Sequence, residues 1–294
     1  MFGYIIINLL FLYVSHISTT YVNSYIISEN YSSEYNYYQD GGIPIVVLHG
    51  VASSSSKMKE FSEWISYTFN RTVYNIEIGN GEKTSLYTPL PKQLNELCNT
   101  IYSIKELETG FDFIGMSQGG LLARGYVEQC NIFPVSNLIT LVSPHGGVIK
   151  DINVDMYSSF IQEHLSVGGY WRDPLKLPTY LEKCNYLPIL NNEKETDISE
   201  QQKNNIKSLS NFVLVWSSED ETVTPSQSAK FSFYDKYYNL IDIEDTELYK
   251  NDLLGLKFLN DYNKFHIYET NCSHVEHRDP VCYDQLYEIF ILYL

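Results

Sequence analysis

The sequence predicts an α/β fold, with a mostly parallel sheet covered by helices on both faces. Short β-rich runs alternate with helical patterns along the chain, as in sheets built from crossover connections. With 294 residues and 44% hydrophobic composition, the chain can bury one large core and need not be divided into two domains. A serine flanked by glycines follows one apolar run, where a strand is expected to turn into a helix.

The alternation predicts six strands and five helices. The expected strands cover residues 43–48, 72–78, 111–116, 138–142, 212–216 and 265–268. The expected helices cover residues 59–69, 93–107, 118–130, 201–209 and 281–294. These elements predict a main domain that extends over residues 43–294.

The stretch from residue 148 to residue 205 interrupts the alternation. It contains Pro174, Pro178 and Pro188 among apolar side chains such as Trp171 and Leu177. This composition is too apolar for a linker. We expect a cap-like insertion over the carboxyl ends of the strands, where open α/β sheets bind their ligands.

The chain begins with an apolar run at residues 4–14, which is shorter than the roughly 20 residues needed to cross a bilayer. Small polar residues follow, so residues 1–20 are predicted to be a secretory signal peptide. The first three residues carry no Lys or Arg, so an uncleaved anchor is the alternative. Residues 21–42, dense in Asn, Ser and Tyr, predict a polar leader, and we expect no membrane span after it.

Charge and cysteine content exclude some classes of partner. The chain has 20 basic and 36 acidic residues, a formal charge of −16, which would repel nucleic acid. None of its five cysteines forms a CxxC pair, so a metal site is not expected. In a secreted chain, the simplest interpretation is two disulfides and one unpaired cysteine. Alternatively, Cys98 is not part of a disulfide and is a small hydrophobic residue buried in the core. Three sequons, at Asn30, Asn70 and Asn271, are compatible with a secretory route.

The segment Gly115-Met116-Ser117-Gln118-Gly119 has the pattern of a nucleophile elbow. In such an elbow a strand ends in a sharp turn that lifts the serine above the sheet, and only glycine leaves room on either side. The pattern alone is weak, because it recurs by chance. Here a strand is expected before it and a helix after it, so the unpaired amides at the helix start would face any negative charge formed at the serine.

A serine hydroxyl is a poor nucleophile at neutral pH, so Ser117 needs a base and a carboxylate that orients the base. In hydrolases of this architecture the chain order is serine, acid, histidine. Asp220 follows the strand at residues 212–216 and fits the acid. His274 follows the last expected strand and fits the base.

Each assignment has rivals. Glu219 and Glu221 flank Asp220, and an acidic cluster after a strand is usually a solvated turn. His277 lies three residues after His274 and could replace it in a longer loop. His145 also follows a strand, but it precedes the acid in the chain.

Attack on a carbonyl creates an oxyanion that needs donors already in position. The backbone amide of Gln118, next to the serine, can provide one, and that of Val51, after the first strand, can provide the other. Gly50 would let the backbone come close to the substrate. The alternative for His49-Gly50 is an ordinary turn between strand and loop.

Six segments of the chain carry a family resemblance, at residues 46–50, 114–120, 170–174, 220–225, 252–256 and 273–274. In these segments the chain resembles the palmitoyl-protein thioesterase family, of the lysosomal type, and the resemblance covers nearly all of its length after the leader. It implies the α/β-hydrolase fold, supports Asp220 over its glutamate neighbours and His274 over His277, and suggests a disulfide between Cys98 and Cys130.

The reaction implied by the resemblance is hydrolysis of a long-chain fatty acyl thioester on a cysteine of a protein or peptide, through an acyl-enzyme at Ser117. No metal or organic cofactor is needed. The implied location is a lysosome-like acidic organelle or the cell exterior. A secreted esterase or lipase acting on oxygen esters and an inactive lipid-binding relative are the alternatives.

Overall fold

The computed structural model describes residues 42–294. The predicted signal peptide at residues 1–20 lies outside the described residues, as does the predicted leader at 21–42 apart from Gly42. Among residues 42–294, no helix combines the length and the apolar character needed to cross a bilayer.

Eight strands form in this part of the chain, and six of them correspond to the predicted ones. They are β1 Ile45–Leu48, β2 Val73–Ile76, β3 Phe111–Met116, β4 Val135–Leu141, β5 Asn211–Ser217, β6 Phe233–Tyr234, β7 Leu240–Ile241 and β8 Phe265–Thr270. The prediction for β3 is confirmed at both ends, whereas β4 begins three residues earlier than predicted. The short strands β6 and β7 were not predicted.

The helices are α1 Lys59–Phe69, α2 Glu82–Tyr87, α3 Leu90–Ser103, α4 Gln118–Gln129, α5 Ser159–His164, α6 Leu177–Lys183, α7 Leu187–Leu190, α8 Ser199–Lys207, α9 Glu247–Lys250, α10 Leu256–Asp261 and α11 Tyr283–Phe290. All five predicted helices are present, as α1, α3, α4, α8 and α11. The others are short, and a helix of one or two turns shows too little periodicity to be recognised in the sequence.

The six long strands form one sheet in the order β2-β1-β3-β4-β5-β8, and all of its pairings are parallel. β6 and β7 form a separate antiparallel pair. From β1 the chain first adds β2 on one side and then β3 on the other. The strand order therefore reverses at β1, and the crevice at the carboxyl ends of β1 and β3 is where open α/β sheets bind ligands.

Helices cover both faces of the sheet, as predicted, because side chains alternate along each strand. On β3, Phe111 and Phe113 pack against Tyr126 of α4 on one face. Ile114 belongs to the core of the opposite face, where α1 and α11 pack. That core includes Ile45, Val47, Phe61, Ile65, Ile139, Val213, Leu286 and Phe290.

The expectation of two disulfides and one remaining cysteine is confirmed. Cys98 of α3 is joined to Cys130, the residue that ends α4. Cys272 is joined to Cys282, so this second disulfide closes the loop that contains His274. Cys184 is free and buried.

The predicted insertion at residues 148–205 lies between β4 and β5. It contains α5, α6, α7 and most of α8, with 3-10 turns at Ser166–Tyr170 and Pro174–Lys176. Val148 and Trp171 form an isolated parallel β-bridge, which joins the start of the insertion to the residue after its first 3-10 turn. Several of its apolar and aromatic side chains are buried, among them Ile161, Tyr170, Trp171, Tyr180 and Leu187, whereas Phe160, Leu175 and Leu177 are exposed.

Candidate active site

Ser117 lies on a strained turn between β3 and α4. Its backbone has φ 56° and ψ −127°, a conformation that a side chain with a Cβ rarely adopts. The Ser117 amide donates to the carbonyl of Leu141 at 2.8 Å, which anchors the turn to β4. The elbow that the sequence predicts is thus present at Ser117.

The neighbouring glycines are required by close packing. A Cβ at Gly119 would lie 2.6 Å from the carbonyl oxygen of Leu48, at the end of β1. A Cβ at Gly120 would overlap Ser143 Oγ. Because α4 starts this close to β1, the turn can form only with glycine at these positions.

The two residues predicted to stabilise an oxyanion border Ser117. Gln118 is the first residue of α4, where backbone amides have no partner within the helix. A Cβ at Gly50 would lie 2.9 Å from Ser117 Cβ, so the loop that carries Val51 runs directly past the serine. The Gln118 side chain donates to the carbonyl of Ser85 at 2.8 Å, which fixes the start of α4 against α2.

Asp220 and His274 are brought together although they are far apart in the sequence. His274 Nδ1 lies 2.7 Å from Asp220 Oδ2. The other carboxylate oxygen of Asp220 accepts from the amides of Thr222 at 2.8 Å and Val223 at 3.0 Å. The carboxylate is thereby held in one orientation, with its second oxygen aimed at the imidazole.

The two acidic rivals of Asp220 face solvent. Glu219 and Glu221 are exposed, whereas the side chain of Asp220 is fully buried. This is the solvated turn expected of an acidic cluster, with only its middle member directed inward.

The two rival histidines both make contacts with residues other than Asp220. His277 Nδ1 donates to the carbonyl of Ser273 at 2.9 Å, and its Nε2 lies 2.8 Å from the hydroxyl of Thr270. Its burial lowers its pKa. His145 is fully buried against Phe231, and burial, with a smaller contribution from nearby Arg124, holds its pKa well below the usual range.

The loop around His274 is braced on several sides. The disulfide between Cys272 and Cys282 closes it, and Glu276 accepts from the amide of Ser273 at 2.7 Å. Arg278 donates to Ser53 Oγ at 3.1 Å, so the loop is also linked to the segment after β1. The loop that carries His274 and the loop that carries Val51 are therefore joined directly.

The serine and the histidine are not joined in the same way. Within residues 42–294, Ser117 Oγ makes no hydrogen bond, although it lies at the same edge of the sheet as His274. Catalytic hydrogen bonds are often long or poorly aligned before substrate binds. The structure thus brings Asp220 together with His274, and Ser117 together with Gln118 and the loop that carries Val51.

A cavity of about 330 Å³ lies between the insertion and the loop after β5 that carries Asp220, which we call the acid loop. Thr224 of the acid loop lines it, and its carbonyl accepts from the amide of Ile149 at 2.9 Å. Lys150 also lines it, and burial lowers the pKa of Lys150 while Asp220 acts in the opposite direction. The rest of the lining combines apolar and aromatic side chains with charged ones, namely Ile149, Ile152, Val154, Met156, Tyr157, Trp171, Tyr234, Tyr238, Asp151, Asp173 and Lys176.

Sequence reasoning did not identify Glu77 or the role of His49. His49 Nε2 lies 2.8 Å from Glu77 Oε1, across the pairing of β1 with β2. The signal that could have found Glu77 is its position between two buried isoleucines, Ile76 and Ile78.

Among residues 42–294, no group of three or more His, Cys, Asp or Glu side chains could hold a metal ion.

The reversal of strand order at β1, with a strained serine at the end of β3, defines this protein as an α/β-hydrolase. A family model described as palmitoyl protein thioesterase matches residues 44–274. The chain belongs to this family and is a thioester hydrolase.

Similar proteins from several organisms are named accordingly. The chain is 34% identical to palmitoyl-protein thioesterase 3 of Dictyostelium discoideum, over 80% of this chain and 86% of that one. It is 31% identical to lysosomal thioesterase PPT2-B of Xenopus laevis, over 76% and 83%. It is 28% identical to lysosomal thioesterase PPT2 of Homo sapiens, over 74% and 76%.

Proposed function

We propose that this protein removes long-chain fatty acyl groups, palmitoyl above all, from cysteines of proteins or peptides, with Ser117, Asp220 and His274 as its catalytic triad. One observation carries the assignment, namely the 2.7 Å contact between Asp220 Oδ2 and His274 Nδ1. A carboxylate only accepts, so Nδ1 carries the proton, and Nε2 of the neutral ring can take the proton of a serine.

In the proposed reaction, Ser117 Oγ attacks the thioester carbonyl carbon and gives its proton to His274 Nε2. The amides of Gln118 and Val51 stabilise the oxyanion. The carbon–sulfur bond breaks, the cysteine leaves as a thiol with the proton from His274, and the acyl group stays on Ser117 as an ester. Water, activated by His274, then releases the fatty acid.

The cavity beside the acid loop is our candidate for the acyl chain. The apolar part of its lining, which includes Ile152, Val154 and Met156, can contact a hydrocarbon chain, and Thr224 connects the cavity to the loop of Asp220. Binding sites for small ligands are concave and mostly apolar, with a few polar groups at fixed positions. The cysteine sulfur is a good leaving group, so accommodating the acyl chain is the main task of such an enzyme.

We further propose that the protein follows the secretory route to a lysosome-like organelle or to the cell exterior. The predicted signal peptide and the two disulfides agree with this route, since disulfides persist in oxidising compartments. Relatives in Xenopus laevis and Homo sapiens are named lysosomal thioesterases.

Ser117→Ala is the direct test. We expect loss of palmitoyl-thioester hydrolysis by at least about 10⁴-fold, because no other group can form the acyl-enzyme. Ser218→Ala, at an exposed position two residues before Asp220, is the control and should keep wild-type turnover. The assay is thiol release from a palmitoylated peptide, with a melting curve to show that both variants fold.

Other outcomes would redirect the assignment. Retained turnover in Ser117→Ala would reject this serine as the nucleophile. Faster wild-type hydrolysis of glycerol esters than of thioesters would favour an esterase or lipase. A wild-type protein that reacts with neither substrate and is not labelled by a fluorophosphonate would be an inactive lipid-binding relative.

A further inference from the structure

His49 makes a contact with its own backbone neighbour that bears on the oxyanion position. It follows β1 directly, and its ring is almost fully buried. His49 Nδ1 lies 2.9 Å from the carbonyl oxygen of Gly50. A carbonyl oxygen can only accept, so Nδ1 carries the proton and donates it.

This hydrogen bond controls the direction of one particular amide. The carbonyl of Gly50 and the N–H of Val51 belong to the same peptide group, which is planar and trans, so they point in opposite directions. A donor that holds the carbonyl also sets where the N–H points. Val51 is the residue whose amide is proposed to meet the oxyanion, and Gly50 packs against Ser117.

Glu77 holds both the ring and the loop. Its Oε1 lies 2.8 Å from His49 Nε2 without the alignment of a hydrogen bond. Because Nδ1 already carries a proton, this contact is an ion pair only in the imidazolium form, in which Nε2 is protonated as well. Its Oε2 accepts from the amide of Ser55 at 2.9 Å and from the Ser55 hydroxyl at 2.8 Å. One carboxylate at the end of β2 thus fixes the loop from Gly50 to Ser55 at two points.

We propose that His49 is a positioning residue that directs the Val51 amide at the oxyanion, and that Glu77 keeps the His49 ring in place. The inference rests on the proposed function only in requiring an oxyanion beside Ser117. Any acyl transfer at this serine, from a thioester or an oxygen ester, meets that requirement. A histidine that merely filled the core would affect stability and not the rate of acylation.

Paired substitutions test the proposal. His49→Leu removes the donor, and His49→Asn restores an amide N–H near the position of Nδ1. Glu77→Ala removes both contacts of the carboxylate, and Glu77→Gln keeps an acceptor for Ser55. Glu82→Gln, exposed and paired with Lys57, is the control.

We expect His49→Leu to lower kcat about 30-fold and Glu77→Ala about 10-fold, since a misdirected oxyanion donor costs part of the 10²- to 10³-fold effect of losing one. KM should stay within about twofold of wild type, and His49→Asn and Glu77→Gln should recover most of kcat. The measurements are steady-state turnover of a palmitoyl thioester and of p-nitrophenyl butyrate, with melting temperatures.

The results separate this proposal from the proposed function. A wild-type protein that hydrolyses only the oxygen ester would refute the thioesterase assignment, while the His49 series on that ester would still decide the positioning role. Equal losses in His49→Leu and His49→Asn, or a raised KM with unchanged kcat, would overturn the role of His49. If His49→Leu does not fold, Glu77→Ala decides, and an unchanged kcat in that variant would overturn the positioning role.

Discussion

Three acidic residues in a row follow β5, and only the middle one directs its carboxylate into the molecule. Asp220 has a fully buried side chain and contacts His274, whereas Glu219 and Glu221 are exposed. The shorter aspartate side chain also accepts from two amides of its own loop. Which of the three carboxylates contacts His274 therefore depends on the direction of each side chain, and the amino-acid composition of the loop does not show that direction.

Asp220→Asn tests this distinction. The amide would offer N–H groups to His274 Nδ1 and favour the wrong tautomer, so kcat should fall by about 10³- to 10⁴-fold while the fold is kept. Glu221→Gln is the matched control in the same loop and should change kcat by less than twofold. Thioester turnover and circular dichroism check both variants, and an equal effect of the two substitutions would contradict the assignment.

At the scale of elements, the turn from β3 into α4 creates the site. The strand brings Ser117 to the carboxyl edge of the sheet, and the glycines let α4 start against the end of β1. The disulfide between Cys98 and Cys130 then joins α4 to α3. The serine is strained because the elements on both sides of the turn are fixed.

Gly119→Ala should destabilise the protein by about 3 kcal/mol, because the added Cβ would meet the backbone oxygens of Leu48 and His49, which cannot rotate away. Gly42→Ala is the control, since its Cβ would lie 3.4 Å from Arg71 Nε, and we expect a change within about 0.5 kcal/mol. Urea unfolding of both variants measures the difference. Equal stability of the two would show that the elbow can relax.

At the scale of the whole molecule, a buried polar network ties the insertion to the helix that follows Ser117. Arg124 donates to Asn191 Oδ1 at 2.7 Å and to Glu128 Oε1 at 3.1 Å. Burial raises the pKa of Glu128, although Arg124 opposes the shift. Because the insertion is fixed to α4 in this way, the cavity at its edge keeps a defined position relative to the elbow.

Ile152→Trp tests whether that cavity receives the acyl chain. The larger side chain should exclude about two methylenes, and at about 0.8 kcal/mol each this lowers kcat/KM for palmitoyl relative to butyryl thioesters about tenfold. Phe160→Trp, exposed and outside the lining, is the control. Turnover of a series of acyl lengths is the measurement, and an unchanged ratio would place the chain elsewhere.

Much of this arrangement could be predicted from neighbouring residues along the chain. The bounds of β3 and α1, the elbow at Ser117 and the two-disulfide expectation all follow from local patterns and agree with the structure. The short α2, α9 and α10 and the β6–β7 pair could not be predicted, because they carry little periodicity of their own.

Local patterns in the chain were enough to predict the fold class, the family and the position of the serine turn, because glycine placement and hydrophobic period are properties of adjacent residues. The contacts of His277 with Thr270 and of Glu77 with His49 became evident from the packed structure, as did the 2.7 Å distance between Asp220 and His274. Those contacts join residues on different elements. Their geometry is set by how the elements pack and by which side chains are buried together.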